Sequence, residues 1–256
     1  MATAESNRQN NASHFSRGRI VSYMLLGIAL VLCFYAFRKP RRPAVQLPAP
    51  TAHDPAREIR MLGGRIDRSA PNWLKVSFTG ANDAGVQHIQ RLDHVKSLNL
   101  QGSQITDRGL AHLVGLVDLE VLNLSDTGIT DEGLKHLRSL TNLRELKLGG
   151  TRLTGAGLAH LEPLVHLNVL FLERTQIDDE ALAHISFFPQ LRMLDISGSP
   201  SDTPQADKTM GKITDAGLHH LRESPNLNVV NSLHNEVTPE GVAQLKASLP
   251  NVHIYH

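Results

Sequence analysis

The sequence predicts an α/β solenoid, with a parallel sheet on the concave side and short helices on the convex side, preceded by one transmembrane helix. Three observations predict it. Leu98, Leu122, Leu146, Leu170 and Leu194 fall 24 residues apart. Inside each period the apolar spacing changes from two, the strand period, to three, a helical one. Ahead of the periodic part, Ile20 to Phe37 forms an uncharged apolar run of 18 residues.

From the N-terminus, residues 1–19 read as a polar tail and 20–37 as the transmembrane helix. At 1.5 Å per residue such a helix spans about 27 Å, close to the roughly 30 Å hydrocarbon core of a bilayer. Tyr23, Phe34, Tyr35 and Phe37 sit near its ends, where aromatic rings favour the headgroup zone. A cleaved signal peptide has a shorter apolar run and a small-residue cleavage site. Here the run ends in Phe-Arg-Lys-Pro-Arg-Arg, which favours an uncleaved single-pass anchor. Arg17 and Arg19 precede the run, whereas Arg38, Lys39, Arg41 and Arg42 follow it. The positive-inside bias therefore tilts toward a cytoplasmic body.

Residues 38–56 read as a Pro-rich linker, with prolines at 40, 43, 48, 50 and 55, and should extend as a polyproline-like spacer. Residues 57–73 read as an N-terminal cap, in which Arg57 to Ile66 supplies a short helix and a strand. Residues 74–256 carry about seven repeat units.

Each unit contains two apolar positions two apart, as in Leu122 and Leu124, so both side chains point to one face of a strand. A hydroxyl column follows: Ser103, Thr127, Thr151, Thr175 and Ser199. It sits where the chain leaves the strand and can bond backbone groups of the neighbouring coil. Next come Ile105, Ile129, Leu153 and Ile177, then Leu110, Leu134, Leu158 and Leu182. A Thr-Asp pair such as Thr130-Asp131 supplies an N-cap and a first-turn carboxylate for the helix. One unit cannot bury its apolar side alone, so units must stack.

The pattern L-x-x-L-x-L-x-x-T-x-I-T-D-x-G-L-x-H-L resembles the leucine-rich-repeat family. Its I-T-D-x-G-L half is similar to bacterial repeats and to the cysteine-containing subtype of F-box proteins, without that subtype's cysteines. The resemblance covers about 180 residues. It implies a right-handed leucine-rich-repeat solenoid; the fold by itself does not supply a function.

Departures from register also carry information. Between Ser199 and Ile213 the step lengthens by twelve residues, a polar insertion over 200–212 expected to protrude. Ser232 takes a Leu position and Gln244 replaces the repeated His, which marks a capping coil that ends on a last strand, Val252 to Tyr255. At the other end Trp73-Leu74-Lys75-Val76 is a degenerate first strand, with Thr79 counted into the hydroxyl column.

Composition limits the chemistry. Aromatics are 4% of the chain and Cys33 is the single cysteine, which excludes a disulfide framework and multi-Cys metal sites. Residues 1–56 hold seven Lys/Arg against Glu5 and Asp54; the other 200 residues hold 19 basic and 23 acidic side chains. An acidic body with a basic anchor speaks against nucleic acid, whose binding rests on neutralised phosphates.

The histidines His88, His112, His136, His160, His184 and His220 stand in register. Neighbouring helices lie about 8–10 Å apart, too far for a shared zinc that needs nitrogens at about 2.0–2.1 Å. They are read as packing beside Leu and hydrogen-bonding across coils, and no metal is expected. Gly150 and Gly155 have Walker spacing, but Ala156-Gly157 follow where Lys-Ser/Thr are required. Gly157 is read as the recurring turn residue. There is no G-x-S-x-G or H-E-x-x-H. Asp178-Asp179-Glu180 fills the Thr-Asp-x slot, so capping explains it. No enzyme activity, cofactor or small-molecule substrate is expected.

What varies between units lies beside the buried strand leucines. One line runs Trp73, Ser97, Val121, Glu145, Val169, Met193, Val229; the other runs Lys75, Asn99, Asn123, Lys147, Phe171, Asp195, Asn231. Val121, Val169, Phe171, Met193 and Val229 are apolar where a solvated face is expected, and Glu145, Lys147, Glu173, Arg174 and Asp195 surround them. An apolar centre with a charged rim is the pattern of a protein-binding surface. The expected function is a membrane-anchored, non-catalytic scaffold that binds a protein partner through this concave face. The alternative is a structural or adhesive envelope spacer without a discrete ligand.

Overall fold

The computed structural model describes residues 54–70, 72–198 and 212–256, all within the unit Val45–His256. The expected transmembrane run at 20–37, most of the linker and all but Lys212 of the insertion lie outside the described residues. Among the described residues no helix is long and apolar enough to cross a membrane.

Nine strands form one sheet in sequence order: β1 (Arg65–Asp67), β2 (Leu74–Ser77), β3 (Val95–Asn99), β4 (Val121–Asn123), β5 (Glu145–Lys147), β6 (Val169–Phe171), β7 (Met193–Asp195), β8 (Val229–Asn231) and β9 (His253–Tyr255). β1 runs antiparallel to β2, and every later pair is parallel. From β3 to β7 equivalent residues face each other directly, as Leu122, Leu146, Leu170 and Leu194 do. This is what a fixed 24-residue step produces. Those leucines and the second column, Leu124, Leu148 and Leu172, are buried. Opposite the strands, four-residue helices such as Asp107–Leu110 and Asp131–Leu134 bury Leu110 and Leu134. The core is thus a stack of aliphatic layers between a sheet and a row of helices.

The register holds across the insertion. Met193 pairs with Val229 and Asp195 with Asn231, so the 36-residue step places the next strand where a 24-residue step would. At the C-terminal end the helix lengthens to ten residues, Pro239–Ser248, with Thr238 as N-cap and Pro at the first turn. Ser232, in a Leu position, is buried, but its hydroxyl donates to the Tyr255 carbonyl at 3.0 Å, which offsets the burial of a polar atom.

The cap helix runs Pro55–Met61, beginning inside the stretch assigned to the linker. Proline fits the first helical turn because its missing N–H has no partner there anyway. Asp54 caps the helix by accepting from the Ala56 N–H, and Ala56 and Ile59 are buried. The His88 Nδ1 lies 2.6 Å from Glu58 Oε2, tying the cap to the first coil.

The first coil corrects the register read from sequence. Lys75 pairs with Ser97, and Ser77 with Asn99, so Trp73 and Lys75 are not the counterparts of Ser97 and Asn99. The physical reason is a deletion. Asp83 and Gly85 lie 24 residues before Asp107 and Gly109, but the strand lies only 22 before its neighbour. Two turn residues are missing, Phe78 fills the core, and Thr79 is exposed instead of joining the hydroxyl column.

The hydroxyl column is buried at Ser103, Thr127, Thr151 and Thr175, but its threonines do not make the cross-coil bonds expected. Thr127, Thr151 and Thr175 donate to the carbonyls of Leu124, Leu148 and Leu172 at 2.5–2.7 Å, three residues back in their own coil. The strand-to-turn bend brings that carbonyl within reach.

The Thr-Asp pairs do more than cap. Asp131 Oδ1 accepts the Thr154 N–H at 2.9 Å, and its Oδ2 accepts the Thr154 hydroxyl at 2.5 Å. The same clasp joins Asp83 to Thr106, Asp107 to Thr130, Asp179 to Thr214 and Asp215 to Thr238. Each carboxylate thus serves the following coil. The two Thr238 bonds hold the Asp215 carboxyl below the usual carboxylate range. The repeated glycine is correspondingly not a turn residue. Gly157 lies inside the helix Gly155–Leu158, and a Cβ there would collide with the Asp131 carboxylate. Gly109, Gly133, Gly217 and Gly241 stand in the same relation to the preceding Asp.

One step lacks the clasp. The Asp slot is Gly155, the Thr slot of the next coil is Asp178, and the Gly slot is Ala181. A Cβ on Gly155 would lie 2.9 Å from the Ala181 Cβ, so here the methyl occupies the space of the absent carboxylate. Asp178 instead accepts from the Ala181 N–H, capping its own turn.

Candidate binding face

The sheet side of β4 to β8 carries two lines of outward residues. Val121, Glu145, Val169, Met193 and Val229 are lateral neighbours in register, all half-buried. Asn123, Lys147, Phe171, Asp195 and Asn231 form the second line. Alternation along each strand sends the leucine between them into the core and these residues out.

The second line is partly structural. Asn99, Asn123 and Asp195 each accept, through a side-chain oxygen, the backbone N–H two residues on, at 3.0 Å, and Asn231 does so at 3.4 Å. These Asx turns start the bend out of the strand. Asp195 is 7% exposed and also accepts from the Ser197 hydroxyl and the Asn231 amide at 2.7 and 2.8 Å. It is therefore a buried turn-former and not part of the exposed charged rim expected from sequence, because its carboxylate is consumed by the bend it caps.

Lys147 and Phe171 break that column. Neither side chain can accept a hydrogen bond, so the sequence has given up the turn cap at these two adjacent coils. The two side chains meet instead: Lys147 Nζ lies 4.8 Å from the Phe171 ring centroid and 3.1 Å from Glu145. The ammonium over the ring is a cation–π contact, worth about 0.5–1 kcal/mol at an exposed site. The signal was present in sequence as two non-Asx residues in an Asx line, but its meaning depended on knowing that the other members cap turns.

Beyond the strand ends, Arg174 Nη2 pairs with Asp126 at 2.9 Å, across two coils. Gly150, at φ +67°, lies beneath, and a Cβ there would strike the Asp126 carboxylate. Glu173 lies against Gly149, where a side chain would overlap its carboxylate, and its Oε2 is buried with no hydrogen-bond partner among the described residues. Burial, helped by the negative charges of Asp195 and Asp126 and opposed by its own backbone N–H and Arg174, pushes its carboxyl up.

A raised folded-state pKa means that the neutral form is the favoured one, so Glu173 contributes stability below its ordinary pKa near 4.5 and loses it as pH rises. Glu173→Gln, a neutral isostere, should therefore raise the urea midpoint at pH 7. The gain should shrink toward zero below about pH 4.5, where both forms are neutral. A pH-independent difference would contradict this reading.

The repeated histidines are not a connected ladder. His88 contacts Glu58, whereas His112, His136, His160, His184 and His220 have no side-chain hydrogen bond among the described residues. The expected cross-coil bonding is thus not made: the rings sit beside the buried leucines, half-exposed in all but His220. His184 instead packs on Phe187 at 5.5 Å. No group of three potential ligands gathers a metal site among the described residues.

A family model described as Leucine Rich repeat matches residues 91–114 and 117–137. Among solved structures, internalin C2 from Listeria monocytogenes is 20% identical, with a TM-score of 0.54 over 83% of this chain and 88% of that one. The ectodomain of the plant membrane receptor kinase GASSHO1/SCHENGEN3 from Arabidopsis thaliana, solved in complex with Casparian strip integrity factor 2, is 17% identical, with a TM-score of 0.42. It is covered over 66% of this chain and 19% of that one. No curated protein sequence matches the chain. With the parallel sheet in unbroken order and the repeat in every coil, the molecule is an α/β solenoid of stacked repeats. Its fold is that of a leucine-rich-repeat solenoid, and residues 91–114 and 117–137 match the model of that family.

Proposed function

We propose that this chain is a membrane-anchored, non-catalytic scaffold that holds another protein against the sheet face of β5 to β7. The observation that carries the reading is the replacement of turn-capping Asx residues by Lys147 and Phe171, beside the half-buried apolar neighbours Val169 and Met193. A fold that gives up a local hydrogen bond to present an aromatic ring on a solvated sheet has a use for that ring outside the coil. Val121, Glu145 and Val229 extend the face along the first line, and the Arg174–Asp126 pair and Glu173 border it at the strand ends. Asp195 supports the bend and contributes no free charge.

Anchoring is supported by the uncharged run Ile20 to Phe37 and its basic flanks. The excess of basic residues after the run favours a repeat body on the cytoplasmic side. Protease added to intact cells should leave the body whole and cleave it only after permeabilisation; cleavage in intact cells reverses the orientation.

For the binding face, in-cell cross-linking of the full chain should join it to a discrete partner. Phe171→Ser with Met193→Ser should lower recovery of that partner by about thirtyfold, the effect of losing about 2 kcal/mol at a hot spot. A control change on the helix side, Val114→Ser, should leave it intact. Unchanged recovery with the double variant would sink the central-face assignment and favour the spacer reading.

A further inference from the structure

We propose that the N-terminal cap of the solenoid lies directly on an anionic membrane surface, with Met61 and Leu62 dipping into the interface and the arginines around them on lipid phosphates. The inference rests on the membrane anchoring proposed above. Met61 is 80% exposed and Leu62 51%, and no other large apolar side chain among the described residues is as exposed as Met61. Two such residues in succession at a helix end form a wedge that water solvates poorly.

The surrounding charge is one-sided in its availability. Arg57, Arg60, Arg65 and Arg68 are all exposed, and none has an ion-pair partner among the described residues. The three acids of the same segment each have a partner within the fold, Asp67 while remaining exposed. Asp54 accepts from the Ala56 N–H, Glu58 lies 2.6 Å from His88, and Asp67 accepts from the Ser69 N–H at 2.8 Å. Free arginines beside exposed apolar side chains match an interface where phosphates lie above hydrocarbon.

The position along the chain points the same way. Seventeen residues, 38–54, separate the apolar run from the cap helix. Even fully extended they reach no more than about 60 Å. The cap therefore stays close to any bilayer that holds the run, at a high effective concentration.

The test uses the full chain in vesicles, with Met61→Trp as reporter in a Trp73→Phe background, and brominated lipid as quencher. Bromolipid should quench the new indole in vesicles containing phosphatidylglycerol, and much less in pure phosphatidylcholine. Added salt should weaken the effect. Each arginine changed to Gln among Arg57, Arg60, Arg65 and Arg68 should lower the docking equilibrium by roughly fivefold, while vesicle flotation stays unchanged. A chain that floats with vesicles but is unquenched, or is equally quenched in both lipids, overturns the proposal and leaves the anchor standing. A chain that does not float overturns both.

Discussion

Gly157→Ala is expected to destabilise the solenoid by about 2–4 kcal/mol, more than the roughly 1 kcal/mol spread of intrinsic helix preference, which would favour Ala. The added methyl would collide with the Asp131 carboxylate and lie 3.0 Å from the Asp131 Cα, so a rotamer change alone does not clear it. Moving the carboxylate breaks two hydrogen bonds to Thr154 and leaves its N–H without that partner. Asp131→Gly alone should cost about 1–3 kcal/mol through the same two bonds. The double variant reproduces the Gly155/Ala181 pairing that the chain itself uses one coil later. It should therefore be more stable than the sum of the singles predicts by at least about 1 kcal/mol. Denaturant unfolding of all four chains completes the cycle, and additivity within about 0.5 kcal/mol would refute the clasp.

Leu146→Ala is expected to cost about 3–5 kcal/mol, a large part of the 5–15 kcal/mol typical of a folded domain. Leu146 is fully buried and pairs in register with Leu122 on one side and Leu170 on the other. The cavity therefore opens against two neighbouring coils, and in a stack where each coil holds only its neighbours no other contact compensates. Val121→Ala, one residue from the same layer but half-exposed, should cost well under half as much. The measurement is the urea midpoint at fixed slope; equal losses for Leu146 and Val121 would mean that the layer is not a close-packed core.

The strand layers were legible in the sequence because one period and one alternation determine both neighbours and facing of each residue, as for Leu98 to Leu194. The first coil was not, since a two-residue deletion shifts Lys75 and Ser77 relative to a count of 24. The carboxylate clasp was hidden for another reason. Within one unit Asp131 looks like a first-turn acid, and its partner Thr154 lies 23 residues away. Its trace was the joint loss of Asp, Thr and Gly at Gly155, Asp178 and Ala181, three departures with one cause. On the candidate face, Val169, Phe171 and Met193 stand where the columns put them, side by side on adjacent strands. Asp195 was misread as rim because an acidic residue on an outward line gives no sign that its oxygens are already in use.

The unchanged register across the 36-residue step from Met193 to Val229 has a consequence for how such a chain varies over generations. Sheet pairing and the Asp179–Thr214 clasp fix both ends of the extra segment, so its length is decoupled from the geometry of the coils. Enlarging a closed loop severalfold costs only about 1–2 kcal/mol of chain entropy. A longer or shorter segment between these anchors leaves the Met193–Val229 pairing and the layers on either side as they are.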